Sequence, residues 1–279
     1  MSSTTAIEAV EPVTEKQFLD RLQRLHREHK KLVLEAMGNP PDRRNIPKSL
    51  WKQIRDEEQA LLLLLLLGIS LPSLREIRQQ VAENVEMPEP PRLPTEQLFR
   101  RLRRRARHVA TSIRRTSQQR LQDTIDDVVG QNRSRQPDVP PSEIDDTLSN
   151  RERRDITERT MPQSREEMIA RTEIAAARRA AAEAMAEEMR RSGIETHLVW
   201  RLGPTCAHCK VCPIFEGLPE SVYSRYVQIP VHPNCCCWAE IVVGPFDDLL
   251  ASGRMRPIPT AAQIRAALRV AKYRGRLLP

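Results

Sequence analysis

Residues 206–212 read CAHCKVC and residues 232–237 read HPNCCC, and these two stretches contain all six cysteines of the chain. The first stretch consists of two overlapping C-x-x-C units, and the second begins with a histidine twenty residues further on. The N-terminus has neither a basic start nor an apolar stretch, so we expect the chain to stay in a reducing cytosol. In that compartment, cysteines clustered at this spacing bind metal more often than they form disulfides.

The two stretches offer more ligands than the four that a tetrahedral zinc site requires. The predicted ligands of a structural zinc ion are Cys209, Cys212, His232 and one or both of Cys235 and Cys237, with Cys206 as a substitute. Reduced cysteines without metal are the main alternative, and redox catalysis is disfavoured because no βαβ pattern surrounds the C-x-x-C units. A catalytic zinc would need a general base, and spacing selects neither Glu216 nor Glu240 for that role.

The segments that flank the cysteines predict a small α+β module. Residues 196–200 and 238–243 have the pattern of short strands that pair with each other. Upstream, residues 164–167 (SREE) fit a capping box, which opens a long alanine-rich helix that ends at Gly193. The triplet at 171–173 (RTE) in this helix is either a charged contact site or an ordinary part of the surface.

Capping signals also predict helices in the N-terminal part of the chain. Residues 14–17 (TEKQ) and 73–76 (SLRE) each place a hydroxyl residue three positions before a Glu or Gln, the spacing at which the two side chains satisfy free backbone N–H groups. We therefore expect helices over 15–36 and 74–86.

A third helix is expected from about Leu50 into a run of seven leucines, with an end near Gly68 and Pro72 beyond it. The apolar run over 60–71 is about twelve residues long, which is short of the 18 or so that a membrane span needs. We expect a buried helix at an interface and no membrane span. The predicted partner-binding residues are Leu61, Leu64 and Leu65.

The next segment combines an apolar stripe with a strong positive charge. Residues 91–122 hold ten arginines and one acidic residue, Glu96. Apolar residues recur at three- and four-residue steps from Leu98 to Val128, which predicts one long amphipathic helix. Its arginines either contact the phosphates of double-stranded DNA without sequence preference or pair with an acidic neighbour in the protein. The predicted nucleic-acid contacts are Arg100, Arg101, Arg103, Arg104, Arg105, Arg107, Arg114 and Arg115.

Composition limits the size of any single core. Only 39% of the 279 residues are apolar and 22 are prolines, so helical pieces joined by proline-rich connectors are expected rather than one large uniform core. The net charge of +8 indicates an anionic partner or an acidic protein surface. The predicted fold class is mainly α, with an extended helical N-terminal part and a small α+β C-terminal module stapled by the Cys/His site.

The motifs of the C-terminal half resemble those of the phage Mu F-like head morphogenesis family, the minor head proteins of tailed phages. The resemblance covers roughly residues 120–245. The residues that carry it are Ala170-Arg171-Thr172-Glu173, Trp200, Cys209-x-x-Cys212-x-x-Phe215-x-Gly217 and Pro230-x-His232-Pro233-Asn234-Cys235-x-Cys237. Three features depart from the usual pattern: Cys236 stands where the family commonly has Arg, Cys206 is an additional thiol, and residues 201–204 (RLGP) lack an expected Asp.

The resemblance implies a low-copy protein of the virion interior, present in the host cytoplasm during assembly. Its implied partners are the portal protein, capsid or scaffold proteins and double-stranded DNA, in head assembly and in genome packaging or ejection. It implies no enzymatic activity. Together with the helix, charge and proline patterns, this gives the expected segments: a portal- or partner-docking helical region (1–90), an Arg-rich helix (91–136), a linker (137–163), the Mu F-like module (164–245) and a basic tail (246–279).

Two other classes of function stay open at this point. The chain is alternatively a zinc-dependent nucleic-acid-binding module of regulatory type, which would show a preferred DNA site rather than a purely salt-dependent affinity. An enzyme or toxin is disfavoured because the 35 or so residues beyond the module are too few for a catalytic domain.

Overall fold

The computed structural model describes residues 10–85, 91–136, 139, 147–203 and 209–271. In this part of the chain the fold is mainly α, as predicted. The helices are α1 (Glu15–Met37), α2 (Lys48–Val85), α3 (Thr95–Ser134), α4 (Asn150–Thr160), α5 (Gln163–Arg191), α6 (Cys212–Phe215), α7 (Glu220–Tyr223), α8 (Phe246–Ala251) and α9 (Ala261–Val270), with a 3-10 turn at Arg43–Asn45; the strands are β1 (Thr196–Arg201) and β2 (Trp238–Val243).

The chain divides into two compact units, each built from separated segments. Unit 1 comprises Met1–Glu15, Leu65–Leu102 and Met168–Pro279, and unit 2 comprises Lys16–Leu64 and Arg103–Glu167. Each unit draws residues from several of the consecutive segments expected from the sequence. Part of the predicted linker is helical as well, because Ser149 and Glu152 form a complete capping box that starts α4. Residues 137–138 and 140–146 of that linker lie outside the described residues.

The core of unit 2 is formed by the apolar faces of long helices. The apolar stripe predicted along α3 is buried, and its members from Leu121 to Val128 join Trp51 and Ile54 of α2 in one cluster. The buried positions of the stripe are Leu98, Leu102, Ala106, Val109, Ile113, Leu121, Ile125 and Val128. Val33 and Met37 of α1 complete it from the other side. A stripe that repeats at the helical period buries itself against neighbouring stripes, which explains why periodicity alone predicted this part of the fold.

Unit 1 combines long helices with short elements. As predicted, α5 ends at Gly193, where the backbone takes φ +79° and the Ile194 and Gly193 N–H groups bond back to Met189 and Arg190. The predicted strands also form, and β1 pairs with β2 in an antiparallel register from Thr196 opposite Val243 to Arg201 opposite Trp238. The C-terminal α9 starts at Thr260 with a capping box and buries Ile264 and Leu268.

The predicted break near Gly68 and Pro72 is wrong, because α2 runs without interruption through both residues. A proline inside a helix leaves the carbonyl four residues earlier without a partner. Here that carbonyl belongs to Gly68, and it accepts a hydrogen bond of 3.0 Å from the Val13 N–H group. Ser73 was expected to cap a new helix, but its hydroxyl donates to the Ile69 carbonyl within α2. A tertiary contact thus replaces the hydrogen bond that proline removes.

The continuous helix changes two further expectations. Residues Lys48–Glu83 are long and apolar enough to cross a membrane by length and composition, although a helix buried in a protein core meets the same criteria, and half of the apolar window is buried here. Among the predicted partner-binding leucines, Leu65 is fully buried in the core and is not available to a partner. Leu61 is half-buried, and Leu64 is 55% exposed.

Candidate metal centre

Short elements of unit 1 bring the cysteines and the histidine together. Cys212 opens the single turn of α6, and Cys237 directly precedes β2. Trp200 of β1 anchors this region, since its ring lies 5.5 Å from that of Phe215 and 5.1 Å from that of Tyr223. Its backbone carbonyl accepts a hydrogen bond from Gly217, whose φ of +74° suits a residue without a side chain. Trp200, Cys212, Cys235 and Cys237 belong to the same buried core.

All five predicted ligands meet around Cys212. Its Sγ atom lies 3.3 Å from the Cys209 Sγ atom and 3.5 Å from His232 Nε2. In the part of the chain that the structure describes, two groups of ligand atoms lie mutually within 4.8 Å, Cys209–Cys212–His232 and Cys212–Cys235–Cys237. The edge of a tetrahedral zinc–sulfur site is about 3.8 Å for bonds of about 2.3 Å. These donors therefore have the chemistry and the spacing to hold a metal ion.

Backbone contacts orient the ligand atoms from behind. The Cys212 N–H group donates to Cys209 Sγ at 3.3 Å, a contact that stabilises a thiolate. The His232 Nδ1 atom lies 2.7 Å from the Pro233 carbonyl, which can only accept, so Nδ1 carries the proton and Nε2 presents its lone pair. This is the tautomer that a metal bound at Nε2 needs.

The three buried thiols share protons. The pKa of Cys212 is raised, chiefly because its proton is hydrogen-bonded to Cys235, and the pKa of Cys235 is lowered, chiefly because the Cys212 thiol donates to it. The pKa of Cys237 is raised as well; its hydrogen bond with Cys212 acts in the lowering direction, but the Cys235 thiolate and burial outweigh it. A cation placed among these thiols would displace their remaining protons.

Cys236 differs from its neighbours because it is disulfide-bonded, whereas Cys209, Cys212, Cys235 and Cys237 are free. The expectation that the chain's cysteines stay reduced is therefore wrong for Cys236. The backbone of Gly203 packs so closely on Cys236 that a Cβ atom there would overlap its carbonyl oxygen. Cys206, the substitute ligand, lies outside the described residues.

The two carboxylates considered as general bases are already engaged. Glu240 pairs with Arg201 at 2.6 Å, and Glu216 accepts a 2.6 Å hydrogen bond from the Leu202 N–H group. Arg201 occupies the stretch where the family pattern has an Asp. Instead of supplying a carboxylate, this stretch binds two carboxylates, those of Glu240 and Glu216.

The predicted nucleic-acid contacts separate into inward and outward arginines. Arg101 donates to Glu183 at 2.7 Å and to Glu187 at 2.9 Å, both on α5, so it belongs to the packing of unit 1 and is not a free phosphate ligand. Arg105 and Arg114 are half-buried. The exposed members are Arg100, Arg103, Arg104, Arg107 and Arg115.

Unit 2 contains a buried charged cluster that the sequence analysis missed. His26 of α1 contacts Glu166 through Nδ1 and Glu58 of α2 through Nε2, each at 3.3 Å, and all three side chains are at most 5% exposed. His29 lies beside it, 3.7 Å from Glu58 and 3.0 Å from the more exposed Glu57. The signal was present, because both histidines occupy core positions of an amphipathic helix.

Opposing effects set the pKa values in this cluster. Burial lowers the pKa of His26, but contacts with the carboxylates of Glu166 and Glu58 outweigh it and leave the pKa raised above its ordinary 6.5. Burial raises the pKa of Glu58, and the two histidines reverse that effect, so its pKa falls below the ordinary 4.5. Arg165 lies nearby in the same helix as Glu166 and donates to the Ser117 hydroxyl and the Ile113 carbonyl.

Comparison with known proteins adds no relative to this description: the chain matches no protein-family model, no curated protein and no solved structure.

Proposed function

We propose that this chain is a minor head protein of a tailed phage, located in the virion interior, where it associates with the portal protein and with capsid or scaffold proteins. The observation that carries the proposal is the spatial convergence of the motif residues. The Asn234 N–H group of the HPNC motif donates to the Thr172 hydroxyl of the helix triplet at 3.1 Å, and Gly217 donates to Trp200. Residues matched separately along a sequence need not meet in space. Their packing around one centre supports a shared architecture with the family.

The metal in this proposal is zinc, held by four of the residues Cys209, Cys212, His232, Cys235 and Cys237. Sulfur and imidazole donors in a tetrahedral arrangement suit zinc, and the burial of three thiols favours a closed structural site over an open catalytic one. Zinc at this position would link α6 to the start of β2. We assign the chain no catalytic step.

The outward arginines of α3 supply the proposed contact with packaged DNA. Arg103, Arg107 and Arg115 are spaced by four and eight residues, so they lie along one side of the helix. In the described part of unit 2, no acidic residue forms an ion pair with these three arginines or with Arg104. Replacing these four arginines by Gln is expected to flatten the salt dependence of double-stranded DNA binding by about 0.9 in the log–log slope for each lost phosphate contact.

The control for this experiment removes equal charge from another helix of the same unit. Arg21, Arg24, Arg27 and Lys31 of α1 are exposed, and their replacement by Gln should leave the slope unchanged if binding is confined to α3. Equal effects of the two variants would mean that DNA responds only to net charge. A preferred DNA sequence would instead support the regulatory alternative.

The head assignment itself is tested by the protein content of phage particles. DNA-filled heads from the phage that carries this gene are purified on a density gradient and analysed by mass spectrometry. We expect the protein inside the particles at low copy relative to the major capsid protein, and a nonsense codon in the gene should abolish infectious particles until the wild-type chain is supplied from a plasmid. Absence of the protein from both procapsids and filled heads would contradict the proposal.

A further inference from the structure

The outer edge of β2 has unpaired backbone groups. On the other strand, the N–H group and the carbonyl of Trp200 both point away from β2. The N–H group donates to the Leu218 carbonyl, and the Trp200 carbonyl accepts from the Gly217 N–H group. Antiparallel pairs alternate between hydrogen-bonded and non-bonded positions, so the partner of Trp200, Ala239, also directs its backbone groups outward. Ile241 and Val243 lie two and four positions further along β2, so their backbone groups also point outward. Among the described residues, none provides a hydrogen-bond partner for these outward groups.

This free edge faces a groove of about 1060 Å³ within unit 1. The edge residues Ala239, Ile241 and Val243 line this groove together with residues of α2 and α5. Trp238, which is 39% exposed, also lines the groove at the start of β2. The volume is at the upper limit of small-molecule pockets, and a row of outward backbone groups suits a chain that supplies matching groups at the strand repeat.

The groove also carries cationic side chains that lack acidic partners. Arg171 and Arg178 of α5 are exposed, and neither they nor Arg254 forms an ion pair with any residue that the structure describes. Glu240 of β2 lines the groove but is neutralised by Arg201. Glu15 and Glu76 also line the groove, so its three arginines exceed these carboxylates by one, and this excess of positive charge favours an occupant that carries carboxylates.

We propose that this groove binds an extended, acidic peptide segment of a partner protein, which adds as a third strand to the outer edge of β2. Backbone hydrogen bonds to Ala239, Ile241 and Val243 would supply affinity, and alternate side chains would contact Trp238 and the arginines of α5. An open strand edge is an aggregation risk when it is left uncovered, and a docked strand removes that risk. The inference does not depend on a phage role for the chain.

The experiment selects ligands without assuming their sequence. A display library of random peptides of about twelve residues, twice the length of a typical strand, is screened against the full chain. We expect enrichment of peptides in which β-branched or aromatic residues alternate with other residues and which contain Asp or Glu. Synthetic copies are then measured by fluorescence anisotropy.

The decisive variant is Ile241→Pro, which removes an outward N–H group and leaves the ladder to β1 intact, because proline is tolerated at a strand edge. It should weaken binding by about tenfold or more, since one backbone hydrogen bond is lost and the proline ring obstructs the added strand. Ile241→Val keeps the N–H group and should bind as the wild type does. Arg171→Glu with Arg178→Glu should also weaken binding, whereas Arg265→Glu with Arg269→Glu, on the exposed side of α9, should not.

A second measurement does not require the proline variant to fold. N-methylation at alternate positions of the peptide should abolish binding in one parity and preserve it in the other, because an added strand uses every second N–H group. Equal tolerance of both parities, or a peptide that binds Ile241→Pro as tightly as the wild type, would overturn strand addition. Failure to enrich any peptide would also overturn it.

Discussion

The two units differ in the length of the helices and strands that bury their apolar residues. Unit 2 is built from α1, α4, the first part of α2 and the greater part of α3, whose apolar faces are long enough to bury one another. The C-terminal part of unit 1 contains six-residue strands and four-residue helices instead. Elements of that length are not stable by themselves. Here they pack into one buried core around Trp200 and surround the Cys/His cluster, which could hold a metal ion.

The largest expected effect follows from removal of the proposed zinc ion. Chelation should lower the free energy of unfolding of the Cys/His region by several kcal/mol, because apparent zinc-binding energies in small zinc domains are about 10–16 kcal/mol and act as folding energy. Trp200 reports on this region once Trp51 and Trp238 are replaced by Phe. We expect its fluorescence to change at a lower urea concentration after chelation, while the far-UV helical signal of unit 2 persists.

Ligand substitutions sharpen this prediction. Cys212 belongs to both groups of candidate ligands and Cys209 to one, so Cys212→Ser should destabilise the region more than Cys209→Ser does. Elemental mass spectrometry on protein purified without chelator measures the metal directly. If no metal is found, and the urea curve does not move on chelation, the stapling account is wrong.

A smaller effect is expected from the charged cluster of unit 2. Glu58→Gln should lower the free energy of unfolding by about 1–3 kcal/mol, because the buried His26 loses one of its two carboxylate partners and keeps Glu166. The adjacent Glu57→Gln is the matched control, because its side chain is 41% exposed and its contact with His29 is worth less than about 1 kcal/mol. Urea denaturation at pH 6, followed by far-UV circular dichroism, measures both. Similar losses in the two variants would show that the cluster contributes no more than a surface pair.

The same cluster predicts a pH dependence of stability. Because the folded pKa of His26 lies above 6.5, its contribution is complete below pH 6.5 and is lost as the pH rises through the folded pKa. The pKa of Glu58 lies below 4.5, so its contribution is present above pH 4.5 and is lost as the pH falls through the lowered pKa. Stability of unit 2 should therefore be highest between these two values and fall on the alkaline side by up to about 1.4 kcal/mol per pH unit. A flat profile from pH 6 to 9 would contradict a protonated His26.

The long elements were predictable because their signals are local. Apolar periodicity in α3 and the Gly193 stop of α5 each depend on residues within a few positions of one another. The cysteine cluster was predictable for the same reason, since two short spacings brought five ligands to one place. The sequence could not show which four of these five residues would bind a metal ion, because the choice depends on how the two stretches approach each other.

The failures involve partners that are distant along the chain. Arg101 resembles its neighbours in sequence, and only the position of Glu183, more than eighty residues later, makes it an internal residue. The charged cluster around His26 depends on the distant Glu166, whereas the sequence of α1 alone has the pattern of an ordinary amphipathic helix. The hydrogen bond from Val13 kept α2 continuous, although glycine and proline rules favour a break. In each case a tertiary contact outweighs a local preference.

The smallest expected effect tests the contact between Val13 and Gly68. A Gly→Ala substitution usually stabilises an exposed helix, but at Gly68 it should destabilise the protein. Gly→Ala in an exposed helix stabilises by up to about 1 kcal/mol, and Gly130→Ala in α3 should do so because nothing lies within 4 Å of the added methyl group. At Gly68 the methyl group would overlap the Val13 side chain and lie 2.9 Å from the Glu11 carbonyl, so overpacking of about 1–3 kcal/mol should outweigh the gain. Urea midpoints of the two variants should move in opposite directions. Adding Val13→Ala to Gly68→Ala should recover part of the loss, as a double-mutant cycle would show. If both glycine variants stabilise the protein equally, the N-terminal segment does not pack on α2, and the continuity of that helix needs another cause.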